Sequence, residues 1–398
     1  MQSPLELTRA ALDVSVTERS SFRGCRRRWY LENIDNLEPL IPTTALDFGT
    51  GIHTALEAYY GNEGDPVKVF EKWHKKWYEN VEQDLRGLGS IGEDALTEFW
   101  GLKDLGTGML SGYLDWSKVE DDFTVLSIEG RGAAEHFAKK KSSLSGDHKA
   151  YPATIDQGRV VAPILRSKGG ALLPFKGGPR LSGRIDMLVE RKGVGKKGLW
   201  ILDHKTTSSA PSNKGLDFED QITGYCYLVW RLTGQMPRGV IFNYLVKQVP
   251  KAPRINQPTK ANPLGPVSTA KDQLTTAALY KDLLLERGMM TKAGVIESET
   301  HAECYAALLG RGMKPFFQRF EVQRNEEEIR NFEKHLMEEY ADIRSVKKSP
   351  EKAYPNRSTW HCPGCGMGPL CLAMDDGSDV DGIIESRYQQ APDRKAER

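Results

Sequence analysis

The chain has 398 residues, 39% of them hydrophobic and 27% charged, with a formal net charge of +1. That balance excludes a disordered or fibrous chain and leaves one large packed domain or two ordinary ones. Near-neutral charge argues neither for nor against nucleic acid, because a carboxylate-rich centre can offset basic surface elsewhere.

The opening stretch MQSPLELTRAALDV lacks the basic start and apolar run of a secretory signal, and no segment approaches about eighteen apolar residues. A cytoplasmic chain that does not cross a membrane is expected. Residues 1–47 form an N-terminal segment carrying Cys25 and the basic run Arg26-Arg27-Arg28. Residues 48–120 read as helical, and Val69, Trp73, Trp77 and Val81 recur at the fourfold spacing of one buried helix face. Those tryptophans are core rather than a base-stacking platform. A core segment at 121–250 opens with FTVLSIEG (123–130), apolar enough on both sides for a buried strand. Residues 131–180, rich in Gly, Lys and Pro, read as an irregular insertion. Strands follow at 184–190 and 199–205, a helix at 217–233 and a strand at 240–247. Residues 251–350 hold a proline-rich loop and helices near 271–287 and 325–345. A cysteine segment at 351–374 precedes a polar tail, 375–398, expected to be mobile. The literal G-x-G-x-x-G at Gly193–Gly198 lies between two strands, so it is a hairpin turn rather than a dinucleotide site. With no phosphate-binding loop there is no ATPase motor, and any helicase would be a separate chain.

The central signal is SGRIDMLVE, a short turn, then LWILDHKTTS. Alternate residues of a strand share a face, so Asp203 and Lys205 point one way and His204 the other. Asp186, read as lying on the preceding strand of a hairpin, can be brought beside Asp203. Two close carboxylates make an oxygen-rich site for Mg²⁺ or Mn²⁺, and a neighbouring lysine can act on the water that attacks a phosphodiester. A bare D-x-K is usually an ordinary ion pair. Here it ends a strongly apolar strand, where buried charge is costly unless it has a role. Upstream, FGTGIHTALEAYY sets His53 in the first turns of an amphipathic helix, with Glu57 one turn later. Downstream, Gln221 and Tyr225 share one helix face. HCPGCGMGPLC places Cys362, Cys365 and Cys371 within ten residues on a Gly/Pro-rich loop, suited to wrapping one metal centre. Cys226 and Cys304 read as small core residues.

In this order, His53, Asp186, Asp203-x-Lys205 and Gln221-x-x-x-Tyr225 resemble the motif series of RecB-like PD-(D/E)xK nucleases. That group takes in the RecB and AddB nuclease domains, CRISPR-associated iron–sulfur exonucleases and lambda-type phage exonucleases. The resemblance spans about Ser20 to Cys371. It implies an α/β restriction-endonuclease-like core, a mixed central sheet flanked by helices, with a helical insertion and a C-terminal iron–sulfur segment. It also implies His53, Asp186, Asp203 and the His204 carbonyl as metal ligands, Lys205 acting on the attacking water, and Gln221 and Tyr225 positioning substrate. Glu129 matches an auxiliary acidic position in some members. The layout of one early and three late cysteines makes Cys25 the fourth ligand of a 4Fe–4S cluster; zinc is the competing occupant. The implied activity is exonucleolytic hydrolysis of single-stranded DNA or DNA ends, in recombination, repair or phage DNA processing, with a helicase or recombination partner. A structure-specific endonuclease and a non-cutting scaffold subunit are the alternatives.

Overall fold

The computed structural model describes residues 13–41, 44–86, 90–129, 152–168, 171–174, 179–209, 214–260 and 262–391. The chain begins with β1 (Val14–Ser15), α1 (Val16–Gly24), α2 (Arg26–Asn33), β2 (Leu37–Pro39), α3 (Thr44–Tyr60), α4 (Pro66–Leu85), α5 (Ser90–Glu120) and β3 (Phe123–Ile128). Short strands β4 (Thr154–Asp156), β5 (Arg159–Pro163), β6 (Leu165–Lys168), β7 (Ala171–Pro174) and β8 (Arg180–Gly183) follow. Next come β9 (Met187–Arg191), β10 (Gly198–Thr207), α6 (Asp220–Thr233), β11 (Gly239–Val246), α7 (Ala277–Glu286), α8 (Glu299–Arg311) and β12 (Phe317–Gln323). The chain closes with α9 (Glu326–Lys348), α10 (Gly368–Asp376), α11 (Val380–Arg387) and β13 (Tyr388–Gln390). Helix ends carry their own signals. Ser15 and Glu18 form a capping box on α1, Asp65 caps α4 with Pro66 in its first turn, and left-handed Gly234 ends α6.

The principal sheet has the order β12-β11-β10-β9-β3, antiparallel except for the parallel β10–β11 pair. A parallel pair needs a crossover, and α6 supplies it between β10 and β11. Leu199 and Ile201 of β10 face a core shared with Ile222, Leu228 and Val229 of α6 and Phe332 of α9. Trp200 and Leu202, on the other face, pack with Met187, Val189 and Ile241, and Tyr60 of α3 abuts them. A neighbouring cluster joins Phe48 and Ile52 of α3 to Met109 and Tyr113 of α5. The result is a mixed α/β fold with helices on both faces of the sheet. Gly51 is required by packing, since a Cβ there would lie 2.4 Å from the Trp73 ring.

The structure corrects several expectations. Of the insertion read as irregular, residues 131–151, 169–170 and 175–178 lie outside the described residues; the remainder contributes β4 to β7, and β1-β8-β5-β4 form a second sheet. Its core is a short run, Val160 to Ala162, that the surrounding Gly, Lys and Pro residues obscure. Asp186 is not within a strand: it immediately precedes β9. In the tail, residues 375–391 form the end of α10, α11 and β13, and 392–398 lie outside the described residues. Tyr388, buried at 4% exposure, and the flanking Ile383 and Ile384 pack on Leu31, Leu37 and Met367. There β13 pairs with β2, Tyr388 opposite Pro39. No described helix is long and apolar enough to cross a membrane.

Candidate active site

Pairing of Leu202 with Met187 in the β9–β10 hairpin, continued one step, sets Asp186 opposite Asp203. At that step the Asp186 side chain takes over from the backbone ladder: its Oδ2 accepts the His204 N–H at 2.8 Å. Its carbonyl accepts the Glu129 N–H at 2.9 Å, tying β3 to the same point. His53, from α3, places Nδ1 3.3 Å from Asp186 Oδ2 and keeps its side chain 31% exposed. On the α6 face Lys205 Nζ lies 2.7 Å from Asp203 Oδ2, over the Phe242 ring. Tyr225, 7% exposed, stands beside this pair, and its hydroxyl accepts the Gln221 amide at 2.8 Å. Gln221 thus reaches the site through Tyr225. His53, Asp186, Asp203, His204 and Lys205 are brought to one end of β10.

The electrostatics follow from burial and neighbours. Burial would raise Asp186, but His53, His204 and Lys205 overcome it and hold the carboxyl well below the usual range. Asp203 is pushed up by burial, against the pull of Lys205. Burial opposes charge on Lys205 and on His53 as well; Asp203 keeps the ammonium charged and Asp186 raises the imidazole. Asp186 stays ionised beside the His53 imidazole, while Asp203, beside the Lys205 ammonium, titrates higher.

His204, on the opposite face, rests on a buried network. Arg319 Nε donates to Asn243 Oδ1 at 3.0 Å. An arginine only donates, so the Asn243 oxygen faces it and the amide hydrogens go to His204 Nδ1 (2.8 Å) and Tyr113 Oη (2.9 Å). His204 Nδ1 is then the unprotonated nitrogen, and burial pushes the imidazole down to about 3. Its Nε2, carrying the hydrogen, has no hydrogen-bond partner. His204 borders a small cavity also lined by His53, Glu57, Glu129 and Asp186. Asn243, Tyr113, Tyr60, Arg319 and Asp121 were not foreseen; the available signal was one amide within an otherwise apolar strand, VIFNYLV. Tyr244, near Lys205 on β11, was also unforeseen and is raised by burial and eased by Lys205.

The four cysteines of the predicted cluster lie on three segments, all as free thiols. Cys25, between α1 and α2, accepts the Asn356 N–H at 3.4 Å, and Cys362 accepts the Ser358 N–H at 3.3 Å. Arg27 Nη1 reaches the Cys371 carbonyl at 3.3 Å and its sulfur at 3.7 Å. Cys365 is half-buried, and burial raises its thiol. Among the described residues, no group of three or more His, Cys, Asp or Glu side chains is arranged to hold a metal ion. At the carboxylates, the Lys205 ammonium is the cation on Asp203.

The family model of the PD-(D/E)XK nuclease superfamily matches residues 13–372, most of the chain. The chain belongs to that superfamily. Asp186 immediately before β9 and Asp203-x-Lys205 on β10 all fall within the matched residues. No curated protein matches the chain.

Proposed function

We propose that the protein is a metal-dependent DNA exonuclease acting on single strands or DNA ends. The observation that carries this reading is the meeting of His53, Asp186, Asp203 and Lys205 at one end of β10. The donor set suits a hard divalent cation: Asp186 and Asp203 supply carboxylates, His53 an imidazole and His204 its backbone carbonyl. Asp203 Oδ2 is buried and lacks a well-aligned hydrogen bond despite the nearby ammonium, as an atom reserved for a cation would be. Mg²⁺ or Mn²⁺ bound there would stabilise the charge that develops on the phosphate.

The chain's own groups divide the remaining work. Asp203 keeps Lys205 protonated, so at neutral pH Lys205 orients the attacking water and donates to the phosphate instead of serving as a free base. The His204 N–H pins Asp186, and His53 steadies it from the other side. Tyr225, held by Gln221, offers a hydroxyl toward the substrate strand. The second sheet, β1-β8-β5-β4, adjoins the site through Gly183 of β8, which lies against the Tyr225 ring. A helicase or recombination factor is the proposed partner.

In the same proposal Cys25, Cys362, Cys365 and Cys371 hold a 4Fe–4S cluster that staples the two ends of the chain. Backbone N–H groups on two sulfurs and Arg27 on a third are donors that favour thiolate, and the four-sulfur set suits either iron–sulfur or zinc. End-labelled linear and covalently closed single strands of one sequence, digested with Mg²⁺ or Mn²⁺, test the exonuclease reading. Degradation of the linear form alone is expected. Equal rates on both would replace it with an endonuclease.

A further inference from the structure

Two arginines at the rim of the site have no part in the chemistry above. Continuing the β5–β8 register one step past Val160–Gly183 sets Arg159 opposite Arg184. Like charges directly opposite on paired strands are destabilising. Arg184 Nη1 lies 3.5 Å from Glu129 Oε2 and is partly offset. Arg159 donates from Nη2 to Ser182 Oγ at 3.2 Å, while its Nε is buried without a hydrogen-bond partner. Among the described residues no carboxylate lies within ion-pair distance of it. Burial, and then the charge of Arg184, push this guanidinium below its ordinary value. An unmatched, partly buried donor lowers stability, so the position is explained by an anion that arrives later.

The surroundings say which anion. A Cβ at Gly183 would come within 3.1 Å of the Tyr225 ring, so the end of β8, just before Arg184, runs against the tyrosine beside Asp203 and Lys205. The β4–β5 turn places Gln157 (φ 48°) and Gly158 (φ 74°) in the left-handed region, immediately before Arg159. Gly158 packs on the Glu129 carbonyl, to which a Cβ would stand at 3.4 Å. The Glu129 N–H in turn donates to the Asp186 carbonyl at 2.9 Å. The turn before Arg159 is thereby tied, through Glu129, to the main chain of Asp186. Glu129 offsets Arg184, and Asp156, opposite Arg159 in the β4–β5 register, turns to Arg180 at 3.8 Å, so neither carboxylate pairs with Arg159.

We infer that Arg159, held by Ser182 and flanked by Arg184, binds the non-bridging oxygens of the phosphodiester next to the scissile one. This rests on the nuclease reading and adds a positioning contact that sets substrate register. It explains why two like charges are tolerated across a strand pair: the planar guanidinium fork suits two phosphate oxygens.

The test is binding of a single-stranded oligonucleotide in EDTA, so that no cleavage is needed, by the parent and by Arg159→Met and Arg159→Lys. Loss of one phosphate contact should reduce the slope of log affinity against log salt by about 0.7 for a single strand. Affinity should fall about tenfold or more in Arg159→Met, with part restored by Arg159→Lys. A neutral methylphosphonate, scanned across the phosphates flanking the cut, should weaken parent binding at one position and leave Arg159→Met indifferent there. The unfolding midpoint of Arg159→Met should hold or rise as the like-charge pair is relieved. An unchanged slope with an unchanged methylphosphonate penalty would overturn the inference, as would a fallen midpoint with unchanged slope, the mark of a structural ion pair. A parent that neither binds nor cuts DNA would instead overturn the nuclease reading.

Discussion

Replacing Asn243 with Leu probes the support behind the site without touching a proposed ligand. Asn243 is fully buried and makes three hydrogen bonds, at 2.8 Å to His204, 2.9 Å to Tyr113 and 3.0 Å from Arg319. The partners do not lose equally. Tyr113 keeps Tyr60 at 2.7 Å and Arg319 keeps Asp121 at 2.5 Å, so each forfeits about 0.5–1 kcal/mol. His204, whose Nε2 already lacks a partner, loses the bond that fixes its ring, a desolvation loss of about 1–3 kcal/mol. The total, about 2–5 kcal/mol, corresponds to a fall of about 2–6 °C in melting temperature if the chain unfolds as one unit. A released His204 loosens the backbone N–H that pins Asp186, so cleavage should drop about tenfold or more while DNA binding persists. Calorimetry and single-turnover cleavage on the same preparation read both effects. A midpoint within about 1 °C of the parent together with an unchanged cleavage rate would refute the buttress.

The cysteine staple predicts a brown, iron-containing protein after anaerobic purification. Cys25→Ala should release the iron and destabilise the fold by about 4–5 kcal/mol in chain-entropy terms, because it opens a loop of nearly the whole chain. Stoichiometric zinc with no iron would overturn the iron–sulfur assignment. At Glu321, burial would raise the carboxyl, but Lys196 and Arg191, each 2.7 Å away, hold it below its ordinary value of 4.5. A depressed carboxylate stabilises the fold fully above that ordinary value and loses its contribution as pH falls through the lower folded value. Glu321→Gln should therefore lower stability at pH 7 and flatten the acid limb of the stability–pH curve, measured by urea denaturation; a curve superimposable on the parent's would contradict this.

The hairpin was legible because its physics is local: an apolar run ending in Asp203-x-Lys205 leaves few alternatives, and strand alternation alone put His204 on the far face. Asp186 reads from sequence as a strand residue of the hairpin, whereas it lies before β9 and is held by a backbone N–H that sequence does not display. β12 was missed because Arg319 and Glu321 interrupt FQRFEVQ with charges; the structure pairs them with Asp121 and with Arg191 and Lys196. The sequence pattern places helices near 271–287 and 325–345, and α8 lies between them. The tail looked mobile because its apolar residues are few and scattered, yet Ile383, Ile384 and Tyr388 converge on partners some 350 residues earlier, Leu31 and Leu37. Arg159 could not be read at all, since its meaning lies in the register of β5 against β8.

The most direct test of the proposed chemistry is single-turnover cleavage by Lys205→Ala at saturating Mg²⁺, with DNA affinity measured in parallel. Lys205 lies 2.7 Å from Asp203 and is the charged donor proposed to aim the attacking water. Its loss should slow cleavage by about 10²–10³ while leaving affinity within a few-fold of the parent. Cleavage at the parent rate would contradict the assignment of this site.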